Sequence, residues 1–185
     1  MVYLAIALAA VAALCALDLL LTLAVLRRLR DRPAGPAVTE EGGIAVGEAV
    51  GTFATRCTEG APLTEKDLGD GAVVSFFSPG CSPCRRMLPV FVERAAALQG
   101  RRQVIAVVVT ASGGPDEEAE AHAMTAQLAA VARVVREDTE GPCTAAFAVQ
   151  AFPSQFAVSA PDGASPTVAA VGDAALTTAL PVGSA

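Results

Sequence analysis

The sequence predicts an α/β fold, a mixed sheet with helices on both faces, preceded by one amino-terminal transmembrane helix. Two observations support this prediction. From about residue 47 the strand and helix patterns alternate in the order β-α-β-α-β-α-β-β-α, and the first 28 residues are almost wholly apolar. We therefore divide the 185 residues into a transmembrane anchor (1–28), a juxtamembrane linker (29–46) and an α/β domain (47–182).

The predicted anchor is the apolar run Val2–Leu26, which only Asp18 and Thr22 interrupt. As a helix rising about 1.5 Å per residue, it is longer than the roughly 30 Å hydrocarbon core of a bilayer. Asp18 costs about 3 kcal/mol at the centre of such a helix, and leucines at about −0.5 kcal/mol each outweigh it. A cleavable signal peptide would have a basic start and a shorter apolar core, so an uncleaved, single-pass anchor is favoured.

The composition argues against nucleic acid as a partner. The net charge is −6, so the chain has no basic excess with which to bind phosphates. Tryptophan is absent and aromatic residues make up only 4%, which leaves no platform for stacking bases.

Apolar runs and turn residues give the bounds of the predicted elements. An amino-terminal hairpin is expected within 49–71. The predicted strands cover 73–77, 103–110, 133–136, 154–159 and 166–170, and the predicted helices cover 81–98, 117–130, 143–149 and 174–180.

The motif CSPC at 81–84 carries the chemistry of the domain. Cys81 follows a buried strand and opens a helix, so its sulfur lies near free backbone N–H groups that favour the nucleophilic thiolate. Cys84 lies one turn further on the same face, where it can attack a mixed disulfide formed by Cys81. Ser82 and Pro83, between the sulfurs, are expected to set which redox state is preferred.

Two other interpretations of the motif are weaker. A metal site needs further soft or imidazole ligands, but there is no second CxxC and His122 is the only histidine. A permanent structural disulfide normally closes a longer loop than this one. A redox-active pair is therefore favoured, and no metal is expected.

The order of the elements and the motifs SFFSPGCSPCRRMLP and AVQAFPSQFAVSAPDG resemble the thioredoxin superfamily. With the anchor and linker, they resemble its membrane-anchored TlpA/ResA-like branch, and within it the MauD family of methylamine-utilisation accessory proteins. The resemblance implies a thiol–disulfide oxidoreductase of the protein-disulfide reductase type, without a cofactor. It implies that Cys81 attacks and Cys84 resolves, and that Pro153 is a cis-proline whose bond to Phe152 lines a substrate groove.

The sequence departs from that family's pattern at two positions near the pair. Gly80 stands where a tryptophan is common, and Ser75 stands where a buried acid often assists proton transfer. A serine can relay a proton but cannot hold the negative charge of a carboxylate, so Ser75 is expected to affect the efficiency and direction of exchange. Cys57 and Cys143 are either small buried apolar residues or a second disulfide, and spacing alone does not decide between them.

The side of the membrane on which the domain lies is predicted differently by two arguments. Arginines follow the anchor and none precedes it, which by the positive-inside rule places the domain in the cytoplasm. The resemblance places it on the extracytoplasmic side, where disulfides persist, and we favour that side. Asp18 is then either tolerated by its leucine neighbours or contacts a membrane partner, such as an electron donor or a maturation partner.

Three functions follow from these observations. The favoured one is an enzyme that reduces or rearranges disulfides in exported client proteins, for example as a maturation factor. The alternative is a thioredoxin-like module that binds a client without catalysis, in which case the two cysteines would be dispensable. A peroxide-reducing relative is least favoured, because no Thr-x-x-Cys context surrounds the pair.

Overall fold

The computed structural model describes residues 6, 15, 42–111, 113–161 and 164–177. Asp18, nearly all of the predicted anchor and most of the predicted linker lie outside these residues. Within the described ranges, no helix has both the length and the apolar character needed to cross a bilayer.

The described elements follow the predicted order. The amino-terminal hairpin consists of β1 (Ala54–Arg56) and β2 (Pro62–Thr64), and a 3-10 turn (Glu65–Asp67) follows it. The strands of the main sheet are β3 (Val73–Phe77), β4 (Val104–Thr110), β5 (Arg133–Asp138), β6 (Ser154–Ser159) and β7 (Thr167–Val171). The helices are α1 (Ser82–Leu98), α2 (Pro115–Leu128), α3 (Pro142–Ala146) and α4 (Asp173–Thr177).

The main sheet is mixed, as predicted. Its strand order is β5-β4-β3-β6-β7, in which β3, β4 and β5 are parallel and β6 and β7 each run antiparallel to the preceding neighbour. Every residue of β3 is buried, in keeping with its continuous apolar sequence. The central position of β3 places its carboxyl end, and the CSPC motif that follows, in the middle of the sheet edge.

Helices cover both faces of the sheet. On one face α1, α2 and α4 contribute the buried residues Cys84, Leu88, Phe91, Ala95, Ala121, Met124, Leu128 and Leu176. Their spacing of three or four residues within α1 and α2 is the apolar period of a helix packed on one side. On the other face the amino-terminal segment and α3 contribute Ile44, Phe53, Cys57, Leu63, Cys143, Ala146 and Phe147.

Several elements differ from their predicted bounds by a few residues, and two of the differences change how a segment packs. The predicted helix at 143–149 ends earlier, since Ala148 has a φ of 47° and Val149 N–H bonds back to the Thr144 carbonyl. Residues 42–44, assigned to the linker, pack on the domain: Ile44 is fully buried and its N–H donates to the Phe147 carbonyl at 3.0 Å. The segment therefore contributes to the core although its composition is that of a linker.

Candidate active site

The cysteine pair lies where β3 ends and α1 begins. Cys81 is the residue that caps the amino terminus of α1, and Cys84 lies in the first turn of that helix. The two sulfurs form a disulfide, with the Cα atoms 5.2 Å apart. Pro83 occupies a first-turn position, where its missing N–H removes no helical hydrogen bond.

The two sulfurs differ in exposure. Cys81 is half-buried, whereas Cys84 is fully buried and packs with the apolar cluster beneath α1. The Cys84 backbone N–H donates to Cys81 Sγ at 3.2 Å. A backbone donor directed at this sulfur stabilises negative charge on it, so the geometry favours a thiolate at Cys81 over one at Cys84.

The segment at Phe152 and Pro153 lies beside the pair. The Phe152 carbonyl oxygen is 3.5 Å from Cys81 Sγ, although the residues are 71 positions apart in the chain. The Phe152–Pro153 peptide bond is cis, as the sequence predicts. Ser154 begins β6 and its hydroxyl donates to the Ala151 carbonyl at 2.7 Å, which ties this loop to the central strands.

The loop before Cys81 contacts α2 through a residue that the sequence analysis did not single out. Glu120 Oε2 accepts a hydrogen bond from Gly80 N–H at 2.9 Å, and Glu120 Oε1 lies 3.1 Å from Arg85 Nη1. Arg85 also donates from Nη2 to the Ser82 hydroxyl at 3.2 Å. The Gly80 N–H and, secondarily, Arg85 lower the pKa of the Glu120 carboxyl. No local pattern indicates this contact, because Gly80 and Glu120 are 40 residues apart.

Two buried polar residues, Ser75 and Gln155, lie opposite one another on neighbouring strands of the sheet. Ser75 on β3 pairs in register with Gln155 on β6, and their side chains are only 0% and 4% exposed. Among the described residues, neither the Ser75 hydroxyl nor the Gln155 amide has a hydrogen-bond partner. Ser75 alternates with Val73 and Phe77, which pack in the same cluster as Cys84. Gln155 was not predicted, although a polar residue within the apolar run of a strand is a signal that could have indicated it.

The remaining cysteines of the domain are not joined. Cys57 and Cys143 are free thiols, both buried in the apolar cluster covered by α3. The second disulfide that the sequence left open is therefore not formed, and these residues pack as small apolar side chains. In the described part of the chain, no group of three or more His, Cys, Asp or Glu side chains is placed to hold a metal ion.

Comparison with known proteins gives a likeness in structure. No family model and no curated protein matches this sequence. The thioredoxin domain of a thiol–disulfide oxidoreductase from Bacteroides vulgatus is 18% identical, with a TM-score of 0.52 over 72% of this chain and 94% of that one. A thiol–disulfide oxidoreductase from Bacteroides fragilis is 14% identical, with a TM-score of 0.52 over 70% of this chain and 95% of that one.

At these identities the likeness concerns the fold. The chain has a thioredoxin-like α/β fold, with a mixed sheet, helices on both faces, and a close cysteine pair at the start of α1.

Proposed function

We propose that this chain is a membrane-anchored thiol–disulfide oxidoreductase that uses Cys81 and Cys84 to reduce or rearrange disulfides in exported client proteins. One observation carries the proposal: the half-exposed Cys81 sulfur lies 3.5 Å from the Phe152 carbonyl, with the fully buried Cys84 directly behind it. The attacking sulfur is thus open to a client, and the resolving sulfur is protected from one.

The reaction proceeds by two exchanges. The Cys81 thiolate attacks one sulfur of a client disulfide, forms a mixed disulfide, and releases the other client sulfur as a thiolate. Cys84 then attacks the Cys81 sulfur, its proton passes to the departing client sulfur, and the Cys81–Cys84 disulfide forms. Two electrons move from the pair to the client, and a dithiol donor must reduce the pair again before the next cycle.

The residues around the pair have supporting roles in this proposal. The backbone at Phe152 and Pro153 offers a client peptide an edge to bind beside the reacting sulfur. Ser82 and Pro83, between the cysteines, and the buried Ser75 set the preferred redox state. Since Ser75 cannot carry charge, proton movement from Cys84 depends on neutral groups, of which the Gln155 amide is the nearest neighbour in the β3–β6 pairing.

The test of the enzyme proposal is capture of the mixed disulfide. In a Cys84→Ser variant the second exchange is blocked, so a client linked to Cys81 should accumulate and dissolve on reduction. A Cys84→Ser/Cys81→Ser variant is the matched control and should capture nothing. Absence of any adduct that depends on Cys81, in cells where the variant is produced and folded, would refute the proposal.

The same variants distinguish catalysis from binding alone. A thioredoxin-like module that only holds a client would keep its function when both Cys81 and Cys84 are serine. We expect that double variant to lose function, because no other pair of sulfurs in the described domain lies at its surface.

The location and the finer assignment rest on the sequence pattern. We propose that residues 1–28 form a single-pass anchor, that 29–46 link it to the domain, and that the domain lies on the extracytoplasmic side. The likeness of the motifs to the MauD family supports a role in the maturation of one client. Asp18 within the anchor is the proposed contact for a membrane partner, and an Asp18→Leu variant should then lose co-purification of that partner.

A further inference from the structure

A single carboxylate connects the two sides of Cys81. Glu120 holds the Gly80 N–H directly before the cysteine, and through Arg85 it reaches the Ser82 hydroxyl directly after it. The Arg85 backbone N–H bonds to the Cys81 carbonyl, so Arg85 lies one helical turn beyond the attacking sulfur. The three residues of this network that flank the sulfur, Gly80, Ser82 and Arg85, thus lie within four residues of Cys81 in the chain.

We propose that Glu120 is a positioning residue for the cysteine pair: it fixes the backbone at Gly80 and offsets the charge of Arg85, and so sets how readily Cys81 forms a thiolate. The inference rests on the proposed function, because it concerns the reactivity of the same two sulfurs. Glu120 belongs to α2, so this helix would help to position the cysteine pair although it contributes no cysteine.

The positional part of the argument concerns the loop between β3 and α1. Gly80 has a φ of 74°, a conformation that residues with a Cβ rarely adopt. The bond to Glu120 supplies the Gly80 N–H with an acceptor from a different element. Because Cys81 is the next residue, the bond helps to fix the sulfur between the Cys84 N–H and the Phe152 carbonyl.

The electrostatic part concerns the sign of the charge near the sulfur. Arg85 alone would stabilise a thiolate at Cys81, since opposite charges favour the ionised form. Glu120 lies 3.1 Å from Arg85 and places a negative charge in the same region, so the two effects largely cancel. Exposed ion pairs add little to stability, and Glu120 and Arg85 have side chains 29% and 52% exposed. The pair is therefore expected to matter for reactivity more than for stability.

The two members of the pair should consequently have opposite effects on Cys81. A Glu120→Gln variant keeps an acceptor for Gly80 N–H but removes the negative charge, so the pKa of Cys81 should fall by about half a unit. An Arg85→Gln variant should raise it by a similar amount. The equilibrium with glutathione should move roughly threefold toward the dithiol in the first variant and toward the disulfide in the second, about 14 mV each way.

The experiment uses the full chain and two readouts. The first is the pH dependence of Cys81 alkylation by iodoacetamide, followed on its own peptide by mass spectrometry, and the second is the glutathione equilibrium of the Cys81–Cys84 pair. Glu118→Gln is the matched control, because Glu118 lies on the same helix but pairs with Arg136 on β5 at 2.7 Å. It should change neither readout.

We expect Glu120→Gln and Arg85→Gln to shift the pKa of Cys81 and the glutathione equilibrium in opposite directions. Both shifts should be smaller at 1 M salt, because charges are then screened within about 3 Å. Shifts in the same direction for both variants, or shifts no larger than those of Glu118→Gln, would overturn the proposal. Neither readout needs a client protein. Opposite shifts without client capture would therefore remove the proposed function alone, and client capture without such shifts would remove this inference alone.

Discussion

Two buried thiols, Cys57 and Cys143, lie in the same apolar cluster on the face of the sheet that α3 covers. Burial raises the pKa of the Cys143 thiol, and the neighbouring Glu137 carboxylate raises it further. Burial also raises the pKa of Cys57, although Arg133 opposes this effect. Burial therefore favours the neutral thiol at both positions, in contrast to Cys81, whose half-buried sulfur accepts a backbone hydrogen bond.

The raised pKa of Cys143 makes the stability of the domain depend on alkaline pH. Below about pH 8.5 the thiol is protonated in both the folded and the unfolded chain, and its contribution is complete. Above that pH the unfolded chain loses a proton that the folded chain keeps, so the free energy of unfolding falls by up to about 1.4 kcal/mol per pH unit.

The measurement compares urea unfolding of the reduced protein with that of a Cys143→Ala variant at pH 7.5 and pH 10. Other titrating groups are common to both chains, so their effects cancel in the difference. The stability advantage of the unaltered chain should shrink by about 2 kcal/mol between the two pH values. A difference that stays constant would show that Cys143 ionises in the folded state as it does in the unfolded chain.

At the same scale, the sequence located the cysteine pair but not its neighbours. Cys81, Cys84 and the cis bond before Pro153 were predictable, because a short motif and the order of elements specify them. Glu120 was not, because it reaches the site through a contact between segments 40 residues apart, and the polar Gln155 within an apolar strand does not by itself show that it lies opposite Ser75. Side-chain contacts of this kind depend on the tertiary fold, and local periodicity contains no information about them.

At the scale of elements, the short helix α3 depends on a carboxylate at its start. Glu137 on β5 accepts hydrogen bonds from the Thr144 N–H and hydroxyl, both at 2.6 Å, and from the Cys143 N–H at 3.1 Å. The two N–H groups are among the backbone donors that the first turn of a helix cannot satisfy itself. The chain that follows α3 leads to Phe152 and Pro153, so this cap also helps to place the segment beside Cys81.

Removal of the cap should destabilise the domain. Hydrogen bonds to a charged group contribute about 1.5–3 kcal/mol, so a Glu137→Ala variant should lose about 2–3 kcal/mol of unfolding free energy. Glu137→Gln should lose less, because its amide oxygen can still accept from Thr144. The control is Glu140→Ala, an exposed acid nearby. Equal midpoints of urea denaturation for the two alanine variants would contradict the role assigned to Glu137.

The predicted elements were confirmed where hydrophobic period and turn residues agree, as in β3, β4 and the hairpin of β6 and β7. The predicted and observed bounds differ where a backbone conformation sets the end of an element. The predicted helix at 143–149 stops before Ala148, whose positive φ ends it, although alanine normally favours a helix. The tertiary bonds of this segment to Gly42 and Ile44 outweigh that local preference.

At the scale of the whole molecule, we expect the folded domain and the proposed anchor to act as separate units. In the described part of the chain, the hydrogen bonds at Gly80, Cys81 and Cys84 join residues between 80 and 152, so we expect the chemistry of the pair not to depend on residues 1–41. Residues 42–44 belong with the domain, because Ile44 is fully buried in the core beside Phe147. The chain therefore offers two truncations that differ by five residues and test this division.

We expect the full chain to remain with membranes after alkaline carbonate extraction, and residues 42–185 to appear in the aqueous fraction. The 42–185 chain should keep the glutathione equilibrium of the intact protein.

A chain beginning at Gly47 lacks Ile44 and should be less stable to urea by about 2–4 kcal/mol, the cost of emptying a buried site of that size. If the full chain were extracted by carbonate, residues 1–28 would not be an anchor. If the two truncations were equally stable, the packing of Ile44 would have no energetic consequence, and the domain would begin at Gly47.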